Sequence, residues 1–240
     1  MIEVADLTVR FGGVTPIDQM TVTFPGGTCG LIGPNGAGKT TFFNVLSGFV
    51  RPLYGIVRAF GDDLLGMADF RRARWGLRRT FQTEQAIANL SVFENVLIVH
   101  EHTGGSRSSR RQDVMNAVTF VGLEREAQLA VGTLAPAQRR LVEVARAVVG
   151  KPRLVLLDEP AAGLPDEETE HLGKVIQRIP DEIGALVILV DHDMSLVSAC
   201  CTTTAVLDFG RLIASGATAE VLHNEHVIRA YLGAEDEVEA

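Results

Sequence analysis

The octapeptide GPNGAGKT at residues 33–40 spaces its glycines, lysine and threonine as G-x-x-x-x-G-K-[ST]. Gly33, Gly36 and Gly38 let the backbone curl until successive N–H groups face inward as an anion nest, with Pro34, Asn35 and Ala37 between them. Lys39 brings a cation to the β and γ phosphates of a nucleoside triphosphate, and the Thr40 hydroxyl, followed by Thr41, offers Mg²⁺ a hard oxygen ligand. LVLLDEP at 154–160 ends four apolar residues on two carboxylates. Behind a phosphate loop, Asp158 is suited to reach the metal through water, and Glu159 to accept a proton from an attacking water or to polarise it. VDHD at 190–193 closes another apolar run on His192, whose imidazole would face the γ-phosphate if its strand shares that sheet edge.

Such groups work only if strands deliver them to one edge, so the elements matter. Strand patterns at 2–10, 19–24 and 28–33 lead into the glycine loop, and a helix follows it as far as Gly48. Short, turn-rich pieces continue to about residue 80. A largely helical zone over 88–149, broken at 103–109, reads as an inserted subdomain. From 153 strand and helix alternate: RLVLLDE, a helix after Pro165, ALVILVD, a helix from Met194, then TTTAVLDF and RLIASG. Alternation of this kind predicts an α/β fold with a mostly parallel sheet. The predicted organisation is a core over 1–87 and 150–233, the helical insertion at 88–149, and an acidic, frayed tail at 234–240.

Composition removes several classes of function. With 22 Lys and Arg against 30 Asp and Glu, the formal charge of −8 argues against nucleic acid as a partner. The basic clusters RRARWGLRR (71–79) and RSSRR (107–111) read as solvated faces. The longest apolar runs are strand-sized, well short of the roughly 20 residues that span a bilayer. Without a basic segment followed by an apolar stretch at the start, the expected location is cytoplasmic. Cys29, Cys200 and Cys201 lack metal-ligand spacing and read as reduced packing residues.

The stretch TLAPAQRRLVEVARAVV at 133–149 is an amphipathic helix with an unusual entry. Leu141, Val144, Ala145 and Val148 share one face, and Arg139, Arg140, Glu143 and Arg146 the other. Ala135 takes the N-cap position without a side-chain acceptor, and Pro136 brings no N–H. A helix start that would bind an anion has lost donors.

Together these motifs resemble the ATP-binding subunits of ABC transporters over essentially the whole chain. Gln82 in RRTFQ matches that family's Q-loop, His192 its switch histidine, and Phe11 the aromatic that stacks on adenine. LTVRFGGV, RRTFQ, EPAAGL, DHDMSLV and the ending GATAEVLHNEHVIRAYLG are most similar to the ATPase subunits of branched-chain amino-acid importers. The resemblance implies an α/β P-loop NTPase core with a mostly parallel sheet, an antiparallel β subdomain and an inserted helical subdomain. It implies ATP and Mg²⁺, with Thr40, Gln82 and Asp158 around the metal and Glu159, His192 and Gln82 in catalysis. It also implies ATP sandwiched between two such subunits, as a homodimer or heterodimer. Integral membrane permeases would hold the chain on the inner face of the cell membrane, and a solute-binding protein would act indirectly.

The family signature is Leu-Ser-Gly-Gly-Gln, for which this chain has Leu134, Ala135, Pro136, Ala137 and Gln138. Ala135 replaces a hydroxyl that bonds the partner's γ-phosphate, and Pro136 deletes a backbone donor. Pro165 stands where the family has Asp or Asn, with Asp166 after it, and the central subdomain is short for this branch. These departures fall on partner surfaces. The expected function is an importer ATPase working in an asymmetric heterodimer, with a nucleotide-binding regulatory subunit of low turnover as the alternative. A small-molecule P-loop kinase would need an acceptor pocket and lid instead of this order of motifs.

Overall fold

The computed structural model describes residues 1–103 and 108–235. The expected break at 103–109 lies partly, and the acidic tail mostly, outside the described residues. In chain order the elements are β1 (Ile2–Phe11), β2 (Val14–Phe24), β3 (Thr28–Ile32), α1 (Lys39–Ser47), β4 (Tyr54–Ala59), β5 (Asp62–Asp63), α2 (Asp69–Trp75) and β6 (Leu77–Arg79). Then come α3 (Val92–His102), α4 (Arg110–Phe120), α5 (Pro136–Val148), β7 (Leu154–Asp158), α6 (Asp166–Arg178), β8 (Leu186–Val190) and α7 (Met194–Cys200). The described chain ends with β9 (Thr203–Asp208), β10 (Arg211–Ala217), α8 (Thr218–Leu222) and α9 (Glu225–Glu235). Two compact units form, Met1–Arg72 with Ile188–Ala240, and Ala73–Val187.

In the first unit, β2-β1-β4-β5 is an antiparallel sheet in that order. Ile2, Val4, Leu7 and Val9 of β1 turn inward, with Ile17, Met20, Val22 and Phe24 of β2 also buried. Register shifts past Val4 show where the strict two-residue period breaks. β3 pairs in parallel with β9, from Cys29↔Thr203 to Ile32↔Val206, and β10 closes antiparallel on β9. All five residues of β3 are buried, as suits a parallel strand covered on both faces. Helix α1 ends on Gly48 in the left-handed region, whose N–H reaches the carbonyls of Asn44 and Val45. Arg72 then donates to the carbonyls of Val45 and Leu46 at 2.5 and 2.8 Å. A buried cation on a helix's last carbonyls complements its dipole, so this member of the 71–79 cluster is structural and not part of a solvated face.

The three cysteines belong to this unit, buried and unbridged. Burial raises the Cys29 thiol, pushes Cys200 up to about 11 and lifts Cys201 further.

In the second unit, β6 runs parallel to β7, pairing Leu77↔Leu154, Arg78↔Val155 and Arg79↔Leu156. Gly76 permits this start. At φ +118 it takes a conformation side chains avoid, and an added Cβ would lie 3.0 Å from the Arg153 nitrogen. The helical zone resolves into α3, α4 and α5. Ser91 and Glu94 cap α3 reciprocally, the Glu94 N–H to Ser91 Oγ and the Ser91 N–H to Glu94 Oε2. Between α4 and α5, residues 121–135 are irregular except for one 3₁₀ turn at Val131–Thr133. Gly122 at φ +79 marks where α4 cannot continue. The fold class is α/β, with mostly parallel strands, a separate antiparallel sheet and helices. Among the described residues no helix is long and apolar enough to cross a membrane.

Candidate nucleotide site

The first unit carries the glycine loop. Gly33 has φ +150, and a Cβ there would lie 2.0 Å from the Leu207 carbonyl oxygen. Gly38 has φ +108, and its Cβ would meet the Pro16 carbonyl oxygen at 2.1 Å. Backbone on both sides therefore leaves room only for glycine, and the loop is pressed into its curl. Gly36, at φ +80, is exposed at the crest beside Asn35. Helix α1 starts at Lys39 on an N-cap glycine without a side-chain cap, so its first-turn N–H groups and positive dipole end suit an anion. Buried Lys39 donates from Nζ to the carbonyls of Gly33 and Pro34 at 2.5 and 2.9 Å, which holds its charge over the loop. Thr40 is exposed and Thr41 partly so, one turn into the dipole.

Phe11 and His192 belong to this unit too. Phe11 ends β1 paired with Val14, and its side chain is 53% exposed. His192 follows β8 with a side chain 71% exposed, its Nδ1 3.7 Å from Oδ1 of buried Asp191. Asp191 Oδ1 also accepts from the Asp193 N–H, and the Asp193 side chain caps α7. The two aspartates thus fix the backbone on either side of a histidine left facing outward.

In the second unit, residues 79–82 meet the two carboxylates of β7. Arg79 Nη2 lies 2.8 Å from Asp158 Oδ2, with both side chains 5% exposed. Thr80 accepts the Asp158 N–H at its Oγ1, and the Thr80 N–H donates to the Leu156 carbonyl. Gln82 Nε2 donates to Glu159 Oε2 at 2.8 Å. Parallel pairing of β6 with β7 explains the order: adjacent strand ends present successive side chains to successive partners. Glu159 sits at φ +48, a left-handed conformation that costs a non-glycine residue energy and recurs at functional sites. Arg140 of α5 reaches the carbonyls of Gln82 and Ala162 at 3.3 Å each, joining the turns on either side of this group.

Arg79 and Thr80 were not among the site residues expected from the sequence, and Arg140 was placed only on the polar face of its helix. RRTFQ drew notice for its glutamine, while its arginine was counted with a solvated cluster; burial against Asp158 corrects that reading.

The entry of α5 matches its expected geometry. Ala135 is the N-cap in extended conformation and Pro136 the first helical residue. The Gln138 side chain reaches back to the Ala135 N–H at 3.2 Å, and Gln138 also donates to Glu126 at 3.4 Å. One half of a capping box is therefore made, and the methyl of Ala135 cannot make the other. Leu134 is buried and Ala137 partly so. Pro165 caps α6 without a side-chain bond, and Asp166, Glu167 and Glu168 fill its first turn, where negative charge suits the dipole.

The donors expected for Mg²⁺ are each of a suitable kind, since a threonine hydroxyl, a carboxylate and an amide carbonyl are hard oxygens. Among the described residues no group of three or more His, Cys, Asp or Glu forms a cage. Mg²⁺ is usually held by one or two carboxylates together with substrate phosphates and water.

The ABC transporter family matches residues 17–162, more than half of the chain. The chain belongs to the ABC transporter family. As an ABC ATPase it is a P-loop enzyme that binds and hydrolyses ATP. The branched-chain amino acid ATP-binding cassette transporter family matches residues 211–237. The high-affinity branched-chain amino acid transport ATP-binding protein BraF of Pseudomonas aeruginosa is 36% identical over 249 residues, covering 97% of this chain and 98% of the relative. LivG of Escherichia coli (strain K12), named for the same transport, is 33% identical with the same coverage. Among solved structures, the ADP conformation of MJ1267, an ATP-binding cassette of an ABC transporter, superposes with a TM-score of 0.88 at 24% identity. It covers 97% of this chain and 98% of its own, and shows that the ABC ATPase shares its fold.

Proposed function

We propose that this ABC ATPase is the ATP-hydrolysing subunit of an importer for branched-chain amino acids or a similar small polar solute. The observation that carries the reading is the family match over 211–237, which spans β10, α8 and α9. No nucleotide motif lies there, so the need to hydrolyse ATP does not account for the likeness. Integral membrane permeases, with a solute-binding protein acting through them, are the partners this reading requires; they would hold the chain on the cytoplasmic face of the cell membrane.

In this reading the N–H groups of residues 35–40 cradle the phosphates of ATP, and Lys39 leaves the loop carbonyls for the β and γ oxygens. Mg²⁺, when bound, neutralises phosphate charge and would be held by Thr40, Gln82 and Asp158. Glu159 takes a proton from water as it attacks, and His192 steadies the γ-phosphate. Gln82 must leave Glu159 to serve the metal, so it is suited to link the chemistry to the permease. The inserted subdomain over 88–149 presents α5 to the nucleotide of a second ATPase subunit.

Reconstitution in vesicles with the permeases and binding protein tests this function. ATP-driven leucine uptake is expected, falling to background in Lys39→Ala. ATP hydrolysis that no branched-chain amino acid accompanies across the membrane would overturn the solute assignment.

The entry of α5 favours asymmetry. Two donors to a charged phosphate are missing from Ala135 and Pro136, each worth about 1.5–3 kcal/mol. A heterodimer in which an intact signature completes this chain's site, while the partner's ATP faces LAPAQ, follows from that loss. Ala135→Ser with Pro136→Gly is expected to raise phosphate release at the partner's site, the one that faces this helix, at least about tenfold. Unchanged turnover would mean that the helix start supplies packing alone. The same defect favours the second reading, a nucleotide-binding regulatory subunit, and brisk hydrolysis by the isolated chain would exclude it.

A further inference from the structure

Phe209 has no structural reason to be phenylalanine. It occupies the first position of the two-residue turn between β9 and β10, where Asp208 pairs with Arg211. Phe209 and Gly210 have φ +42 and +80, the mirror-image turn that favours Asn-Gly or Asp-Gly and penalises a bulky first residue. The ring is 83% exposed, so core burial does not offset that cost.

What the turn does have is a fixed address beside the glycine loop. The Gly210 N–H donates to the Ala37 carbonyl at 3.0 Å, and the Gly210 carbonyl accepts from the Asp18 N–H at 2.9 Å. Arg211 is paired with Asp18 at 2.7 Å. Gly210 also comes so close to β2 that a Cβ would lie 2.9 Å from the carbonyl oxygens of Thr15 and Pro16. Pro16 is the residue whose carbonyl crowds Gly38 on the other side, and Val14, two positions earlier, is the cross-strand partner of Phe11. One stretch of β2 therefore locks three things together: the phosphate loop, the end of β1 with exposed Phe11 and Val14, and the turn bearing Phe209. If a triphosphate seats on the loop, these exposed apolar groups are the ones at hand to receive its nucleoside. A purine base needs flat apolar surface, and aromatic rings supply it by stacking.

We propose that the Phe209 ring is a base-contacting residue that forms, with Phe11, the apolar wall against which the adenine of ATP packs. The proposal rests on the phosphate-loop reading of residues 33–40 and adds a base-binding element from the β9–β10 turn.

The test uses the full chain and two probes, ATP and inorganic tripolyphosphate, with binding measured by calorimetry and stability by thermal unfolding. Phe209→Asn removes the ring and supplies a residue the turn prefers. The expected result is a raised Tm, ATP affinity weakened about tenfold, tripolyphosphate affinity unchanged, and ATP affinity restored in Phe209→Trp. Unaltered ATP affinity in Phe209→Asn would overturn the proposal and leave the exposed ring to a protein partner. Equal weakening of both probes would also overturn it, because the turn would then act only through the loop's shape. Lys39→Ala separates the two levels: unimpaired binding of both probes in that variant would remove the phosphate-loop reading and the base contact with it.

Discussion

Glu159→Gln is expected to bind ATP as the unaltered chain does and to release phosphate two to four orders of magnitude more slowly, the range for loss of a general base. The substitution is nearly isosteric, and its amide oxygen can still accept the Gln82 bond now made at 2.8 Å. What disappears is proton affinity. Single-turnover phosphate release, beside equilibrium ATP binding, separates the two effects. Undiminished turnover would take Glu159 out of the role and leave its φ of +48 to turn geometry alone.

Arg79→Leu is expected to lower stability by about 3–5 kcal/mol, the cost of leaving a buried charge without its partner. Arg79 and Asp158 are both almost wholly enclosed, 2.8 Å apart, so water cannot take over from the guanidinium. The midpoint of urea unfolding measures the loss. Adding Asp158→Asn should recover part of it, because the neutral amide no longer needs a counter-charge; a double variant no better than the single would assign the loss to stacking of the Arg79 guanidinium on the Phe81 ring, 4.8 Å from its centroid. Neither outcome depends on ATP, so the pair can be judged on the isolated chain.

The phosphate loop was legible because its chemistry is local. Glycines where φ must be positive, a lysine and a threonine stand within eight residues, and a strand and a helix flank them in sequence. The poor cap of α5 was legible for the same reason, since Ala135 and Pro136 declare it by type. The 71–79 cluster was not legible. Arg72 meets α1 carbonyls 26 and 27 residues away, and Arg79 meets Asp158 across 79, distances at which charge density along the chain carries no signal. The pull of Gln138 on its own N-cap was also hidden, because a glutamine three residues into a helix usually answers a serine. The irregular path of 121–135 escaped for another reason: its apolar residues keep a helix-like spacing, and Gly122 alone ends the helix.

The three buried thiols carry a practical consequence. Only the thiolate attacks an alkylating reagent, and enclosure both blocks the reagent and keeps the proton on sulfur. Toward a maleimide the folded chain is therefore expected to react far more slowly than a chain with an exposed thiol, and a single cysteine placed on its surface would report movement of that position without any native residue having been removed. That protection ends when the first unit opens, so the chain carries its own chemical clock for unfolding.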